Sequence, residues 1–514
     1  MKEQYLKTEL SSITNEVSGD YILPDSFPDV KCVLSCRARI YDIKKYFGAN
    51  EGEISGNIAY NIMFSAYDET ERDIVCSVSF IDDFKTICRY KNPANCGVGT
   101  HTRLLENSCR MANPRKFSIK SSIETLMYED IQEKAYPALS EKIPHDSQIQ
   151  YKWGECEVCR CRSVELCEHS FSDNIELDMK LPEISEIVHY DVVMNVRDDR
   201  GGDMRNAPVK LGAAFTLNLL YKDKENKLYS INKEIPFGIS INDDESAMLE
   251  SDSLSTVSIV PAVYLSAVNL NVGKNQYDEQ KVLEFDADYD IDLMLLSTEN
   301  VNYVTDAYSV SYESECKYET QTMLTPVARI KNNFTYTDSK ARGELGIENM
   351  SLLSAAIPVV LDVHPEKSGN YVSVAGKINE KTSLIEKDGK LRGKDITIPF
   401  SYKSSVSATS ENLGMIGNIS LVDNRIRCDH ERVYTDAEVY LDYLLTGKES
   451  ISVCKSISIG ECMDTADKSI LCVYYPSEDE TLWDIAKKKK STVEKIELLN
   501  PGLASGVMCP LIIE

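Results

Sequence analysis

A chain of 514 residues is longer than one ordinary domain, so three or four domains are expected. The composition is globular, 42% hydrophobic and 27% charged, which is enough to bury a sizeable core. The formal net charge of −26 argues against nucleic acid and anionic membrane as main partners, because an acidic surface is repelled by both; it suits solubility or a basic protein partner. Met1 to Ser12 lacks the apolar run of a signal peptide, and no stretch approaches the ~18 apolar residues of a transmembrane helix. A cytosolic chain without membrane insertion is therefore expected, its 16 cysteines remaining thiols. Several, such as Cys76 and Cys88, fill apolar strand positions. The 28 tyrosines favour pleated, half-buried surfaces over helices.

Along the chain, one β pattern recurs three times. The first copy opens on Leu23-Pro24-Asp25-Ser26-Phe27-Pro28-Asp29-Val30. It continues with Ile54, Gly56, Ile58, Tyr60, Ile62 and Phe64 at every second position, then Phe80. The second opens on Leu181-Pro182-Glu183-Ile184 and continues with Leu211, Ala213, Phe215, Leu217, Leu219 and Tyr221, then Pro236-Phe237. The third opens on Ile347-Glu348-Asn349-Met350 and continues with Val372, Val374, Gly376 and Ile378, then Pro399-Phe400. Phe80 to Phe237 is 157 positions, and Phe237 to Phe400 is 163. A later strand recurs as well: Phe117, Ile119 and Ile123; then Phe285, Ala287, Tyr289, Ile291 and Leu293; then Ala437, Val439, Leu441 and Tyr443. Strict alternation predicts antiparallel strands with one face on a core and the other in water. Joints are expected around 138–150 and 312–330.

Between the copies lie residues with the chemistry of sites. Cys156-x-x-Cys159-x-Cys161, followed by Cys167-x-His169, has zinc-ligand types. The run Trp153 to Val164 also reads as a strand, on which Cys156 and Cys159 diverge. The strand reading is preferred and no metal is expected. Asp286, Asp288, Asp290 and Asp292 share one strand face and read as a solvated acidic surface, since a calcium loop needs Gly where Ile291 stands. Asp82-Asp83 and Asp198-Asp199 read as turns. Gly369 to Gly376-Lys377 and Gly97-x-Gly99 lack the spacing of phosphate or dinucleotide loops. No nucleophile is paired with a base, so neither catalysis nor a cofactor is expected.

Residues 471–514 form a compact last unit. Ser477 with Glu480, and Ser491 with Glu494, have capping-box spacing. Leu482, Ile485 and Ala486 share a face of a first helix, and Val493, Ile496 and Leu499 share one on a second. Asn500-Pro501-Gly502 stops that second helix. Leu471–Tyr475 and Leu511–Ile513 read as strands, giving the order strand, helix, helix, strand. The Lys487–Lys490 run is the one basic block on an acidic chain: a solvated helix face or a docking patch. Trp483 is either core or an interface anchor.

This last unit resembles a LysM module. Thr481-Leu482-Trp483-Asp484-Ile485-Ala486 is similar to that family's T-L-W-x-I-A core, and Asn500-Pro501 to its later N-P. Asp479-Glu480 stands where the family usually has Gly-Asp, and Gly506-Val507-Met508-Cys509-Pro510 replaces its usual Gly-Gln. A side chain in place of Gly keeps a sugar from the backbone, which weighs against glycan binding. The Pro-Asp openings, Gly-centred strands and Pro-Phe strands resemble the SPOCS domain of sporulation proteins. The expected fold is mainly β: three tandem antiparallel β-sandwich-like domains, 1–150, 151–320 and 321–465, then a small βααβ LysM-like module, 470–514.

This arrangement is similar to a family of spore-coat morphogenesis proteins. The resemblance implies a non-enzymatic scaffold in the mother-cell cytoplasm at the forespore surface. Its LysM-like module would bind a SpoIVA-type coat basement ATPase and link other coat proteins to it. The alternative is a peptidoglycan- or glycan-binding cell-wall protein. Expected contact residues are Asp479, Glu480, Thr481 and Leu482 on one side and Asn500, Pro501 and Gly502 on the other, with Trp483, Lys487 and Lys488 next.

Overall fold

The structure, a computed structural model, describes residues 3–90, 97–139, 148–197, 210–240, 256–348, 350–369, 371–407, 413–463, 471–477, 479–501, 503 and 510–513. The alternating segments form strands because each places one apolar row on a core. Ile54, Ile58, Tyr60, Ile62 and Phe64 are wholly buried, as are Phe215, Leu217, Leu219 and Tyr221, and Val372, Val374 and Ile378. The chain is mainly β, in several antiparallel sheets. Among the described residues, no helix is long and apolar enough to cross a membrane.

The first stretch supplies β1 (Gln4–Ile22), β2 (Val30–Phe47), β3 (Glu51–Tyr67), β4 (Asp73–Arg89), β5 (Val98–Asn113), β6 (Lys116–Lys134) and the short β7 (Ala138–Leu139). The second supplies β8 (Ile149–Glu176), β9 (Glu186–Arg197), β10 (Lys210–Lys222), β11 (Leu228–Ser240), β12 (Thr256–Gly273) and β13 (Val282–Ser309). The third supplies β14 (Tyr312–Ala341), a single helical turn α1 (Arg342–Leu345), β15 (Met350–Ala355), β16 (Val359–Ser368), β17 (Tyr371–Glu386), β18 (Leu391–Ser407), β19 (Gly414–Cys428) and β20 (Arg432–Cys462).

One strand order recurs. Apart from the short β7, which pairs with β20, the first strand of each stretch pairs with its last, which pairs with the one before it: β1-β6-β5, β8-β13-β12 and β14-β20-β19. The strands between form a second sheet: β2-β3-β4, β9-β10-β11, and β17 between β18 and the β15/β16 pair. In each stretch an apolar cluster draws on both sheets.

The recurrence is anchored by a small residue facing an aromatic ring. Gly376 lies across from Phe400, and Ala213 across from Phe237. Gly56 lies across from Phe84. The ring of the first stretch is thus Phe84 and not Phe80, which faces Tyr60. The β3–β4 hairpin is four residues longer than its counterparts, which displaces the match. Asp82-Asp83, expected as a turn, lies inside β4, where the Tyr21 hydroxyl donates to Asp82 at 2.5 Å. Asp198-Asp199 and Asn349 lie outside the described residues.

The expected joints also differ. Positions 140–147 lie outside the described residues, and β8 already begins at Ile149; the whole of 312–330 lies inside β14. Boundaries at 150/151 and 320/321 therefore cut strands. β14 runs on because its first half pairs with the end of β20, Tyr312 with Cys462 through Thr322 with Ser450.

Alternation predicts one wet face, but the stretches cover part of it. Ile291, Leu293 and Leu295 of β13 join the core of the second stretch. Met294 and Leu296, on the opposite face, join Tyr128, Cys159, Cys161, Ile416 and Leu444 in a cluster fed by all three stretches. Asp286 and Asp288 are exposed as expected, whereas Asp292 is 2% exposed. Lys45 of β2 reaches it at 2.6 Å. Burial pushes the Asp292 carboxyl up to about 6, against the Lys45 ammonium. Asp442 is held by Arg329 through two bonds of 2.8 and 2.7 Å, and Asp130 by Arg160 at 2.7 Å. Charges removed from water need such partners.

Glu380 of β17 is a further buried carboxyl, between the two sheets of the third stretch. Thr435 donates to Oε2 at 3.5 Å, and Oε1 has no hydrogen-bond partner among the described residues. Burial pushes its pKa up to about 7, against hydrogen bonds from Asn424 and Thr435.

Two outcomes follow. A Cβ at Gly376 would sit 2.7 Å from Phe400 Cζ, so Gly376→Val should destabilise the chain by about 1–3 kcal/mol in thermal or urea unfolding. The raised Glu380 pKa contributes stability that is complete below the unfolded value near 4.5 and is lost as pH rises through about 7. Glu380→Gln should raise the melting temperature at pH 8 and leave little difference at pH 5; parallel profiles would refute this.

Candidate partner-binding site

The last unit is β21 (Cys472–Tyr474), α2 (Leu482–Lys489), α3 (Val493–Leu499) and β22 (Leu511–Ile513). β21 and β22 pair antiparallel, with Val473 opposite Ile512. Ile485, Ala486, Ile496, Leu511 and Ile513 are buried together, as the helical faces require. The caps are not at the expected serines. Thr481 caps α2: its hydroxyl accepts from the Asp484 amide, and the Asp484 carboxylate accepts from the Thr481 amide. Thr492 caps α3 by accepting from Lys495 N at 3.1 Å. Ser491, one residue earlier, is buried and has another use.

That use is the contact with the end of β13. The Tyr308 hydroxyl donates to Ser491 O at 2.7 Å, and Tyr308 is wholly buried in the core of the last unit. Trp483 stacks edge-on against Tyr308, ring centres 5.0 Å apart. Two residues before Tyr308, on the same strand face, Asp306 collects the remaining donors. Trp483 Nε1 donates to it at 2.8 Å, Lys487 Nζ reaches both oxygens at 2.8 Å, and the Tyr318 hydroxyl donates at 2.7 Å. Burial disfavours the Asp306 anion, yet the hydrogen bonds from Lys487, Trp483 and Tyr318 outweigh it and hold the carboxyl below its usual range.

The structure therefore divides the expected contact residues. Trp483 and Lys487 face inward onto Asp306, and Leu482 packs in the same cluster. Lys488 lies on the open side, where it donates to the Tyr474 hydroxyl at 2.9 Å and to Glu480 at 3.2 Å. Glu480 also accepts from Tyr474 and from Ser477 N, and the Tyr474 bond is the main cause of its lowered pKa. Asp479, Thr481 and Pro501 are exposed. Asn500 is structural: its amide donates to Ile496 O and Ile512 O, each at 2.7 Å, and accepts from Ile512 N at 2.8 Å, tying α3 to β22. Gly502 and positions 506–509 lie outside the described residues.

Sequence reasoning missed Asp306, Tyr308, Tyr318 and Tyr474, none of which stands in a motif. It also missed an apolar surface around the β21–β22 sheet. Val473 is 59% exposed and its cross-strand partner Ile512 42%; Leu471, Tyr475 and Leu498 are exposed as well. Lys488 and Lys489 lie over the ring of Tyr474, 5.3 and 5.0 Å from its centre.

The cysteines expected to diverge on a strand do so. Cys156 packs with Tyr5 and Tyr303, whereas Cys159 and Cys161 join the three-stretch cluster on the other face. Burial pushes Cys156 up to about 11 and Cys159 to about 12.

No protein-family model matches the chain, and no curated protein matches it. A crystal structure of lipopolysaccharide binding protein aligns over 83% of this chain and 91% of that one, at 8% identity and a TM-score of 0.07, too low to carry an argument.

Asp306→Ala should weaken docking of the last unit by about 1.5–3 kcal/mol, since it removes charge-assisted bonds to Trp483 and Lys487. Trp483 emission should shift to the red, read in a Trp153→Phe background. In the unaltered chain the same shift should appear on acidification. A lowered carboxyl pKa gives stability that is present above the unfolded value and lost as pH falls through the folded one. Unchanged emission in the variant would contradict the contact.

Proposed function

We propose that the chain is a non-enzymatic scaffold whose last unit binds a protein partner through the face turned away from Asp306. The observation that carries this reading is the one-sided use of the unit. One side is committed to Asp306 and Tyr308, while the β21–β22 pair leaves Val473 and its partner Ile512 exposed, and Lys488 and Lys489 lie over Tyr474 of the same pair. An apolar centre rimmed by charge is the composition of a protein interface. The basic rim on a chain of net charge −26 suits an acidic patch on the partner.

The LysM-like reading is supported by the order strand, helix, helix, strand and by the pairing of its outer strands. The reading of three SPOCS-like domains is supported by the recurring strand order and by the small residue facing an aromatic ring in each stretch. Three such domains followed by a LysM-like module make the chain SipL-like. On that reading it acts in the mother-cell cytoplasm at the forespore surface, joins a SpoIVA-type basement ATPase to other coat proteins, and needs neither metal nor cofactor.

The test uses the full chain. It should bind the purified basement ATPase and should not sediment with peptidoglycan. Lys488→Glu combined with Lys489→Glu should weaken ATPase binding by ~10-fold at low salt and less at high salt, with the fold intact by circular dichroism. Equal binding by the charge-reversed chain would refute the basic rim. Sedimentation with peptidoglycan and no ATPase binding would replace this function with the glycan one.

A further inference from the structure

The sheet of the last unit has two strands, β21 and β22, and each has an outer edge. On β22 that edge is filled. Asn500 Oδ1 accepts from Ile512 N at 2.8 Å, and Asn500 Nδ2 donates to Ile512 O at 2.7 Å. Both backbone groups of Ile512 therefore point away from β21. In an antiparallel pair, opposed residues either exchange both bonds or turn both sets of groups outward. Ile512 lies opposite Val473, in a pairing of regular register. Val473 thus turns its own N–H and C=O away from β22, while Cys472 and Tyr474 turn theirs toward it. Neither Val473 group has a hydrogen-bond partner among the described residues.

An edge left open in this way is a template for a further strand. Its surroundings define what that strand carries. The side chains of Val473 and Ile512 share one face of the sheet, and both are exposed. Tyr474, one residue on, points to the other face. There Lys488 and Lys489 lie over its ring, 5.3 and 5.0 Å from the centre. Lys488 also reaches Glu480 at 3.2 Å, whereas Lys489 has no carboxylate partner among the described residues. A strand laid alongside Val473 meets apolar side chains on one face and ammonium groups on the other.

We propose that β21 receives a strand from a protein partner by antiparallel addition, and that this strand alternates apolar and acidic residues. The inference rests on the reading of the last unit as a partner-binding unit and names how the partner is held. The residue set opposite Val473 exchanges two backbone hydrogen bonds with it and places an apolar side chain beside Val473 and Ile512. The residues on either side of it turn carboxylates toward Lys488 and Lys489. The two-stranded sheet becomes three-stranded. Addition has one site, because Asn500 already occupies the backbone groups on the far side of β22. A second copy of the chain is disfavoured as the donor, since pairing β21 with β21 brings two sets of Lys488 and Lys489 together. Backbone bonds supply affinity, and the alternating side chains supply selection.

Two isomeric probes test this on the full-length chain. Both are capped peptides of alternating valine and glutamate; one is N-methylated at its glutamates and the other at its valines. In an antiparallel strand added to β21, the valine amides face Val473 and the glutamate amides face solvent. The glutamate-methylated peptide should bind and should slow exchange of the Val473 amide ~10-fold, more than that of Tyr474, whose amide already faces β22. The valine-methylated peptide carries the same side chains and should bind ~10-fold more weakly. Replacing its glutamates by lysines should weaken the first peptide, most at low salt. Trp483 emission, read in the Trp153→Phe background, should stay unchanged, with the unit still seated on Asp306. Failure of the glutamate-methylated peptide to bind, equal binding by the two isomers, or binding without slowed exchange at Val473 would each overturn the proposal. A chain that dimerises on its own with Val473 already protected would overturn it too, since the edge would then belong to a second copy. A protein partner that depends on Lys488 and Lys489 yet leaves Val473 exchange unchanged would refute strand addition and keep the outer-face reading. Absence of partner binding, with Val473 still protected by the glutamate-methylated peptide, would refute that reading and keep the edge.

Discussion

Asp306 decides which face of the last unit is free. It stands at the end of a long strand and has little water around it, and it accepts from an indole, an ammonium and a phenol at once. A carboxylate with that many donors stays ionised, and losing one leaves charge without a partner. Tyr308 fixes the same approach from two residues on, with its ring in the core of the unit and its hydroxyl on Ser491. With these contacts in place, the β21–β22 surface and the lysines over Tyr474 point outward. A small unit on a free tether would have no such constraint; here the β scaffold orients it.

The scaffold is itself ordered by the convergence of its three stretches. Strands β13 and β20 bury apolar side chains on both faces, one on a local core and one on the shared cluster. Charged residues caught in that convergence are paired across stretches: Lys45 with Asp292, and Arg160 with Asp130. Breaking such a pair leaves a buried charge uncompensated, which disfavours any arrangement in which the stretches separate. Long-range polar contacts such as Asn195 to Leu421 O and Asn418 to Val196 O tie the second and third stretches in the same way.

Much of the β architecture was legible because period-two alternation is a local property. The apolar rows headed by Ile54, Leu211 and Val372 are the buried rows of β3, β10 and β17. What alternation cannot reveal is what covers the polar face. Asp286 and Asp292 look alike in sequence, yet one is in water and the other meets Lys45, which lies far away in the chain. The equivalence of Phe84 with Phe237 and Phe400 was hidden by a longer hairpin, since register is set by pairing and not by counting residues. In the last unit the helical faces were readable, while the caps fell on Thr481 and Thr492 instead of nearby serines. Trp483 was open between core and anchor; it serves as an inner anchor because Asp306 supplies the acceptor its indole needs.

Hydrogen–deuterium exchange of the full chain with and without its bound protein partner tests the central claim most directly. The account predicts new protection at residues 472–475 and 511–513, with exchange at 304–308 unchanged, because the partner covers the outer face and leaves the Asp306 contact alone. Protection at Thr481 to Lys487 together with faster exchange at 304–308 would mean that the partner takes the place of Asp306, and it would contradict the account.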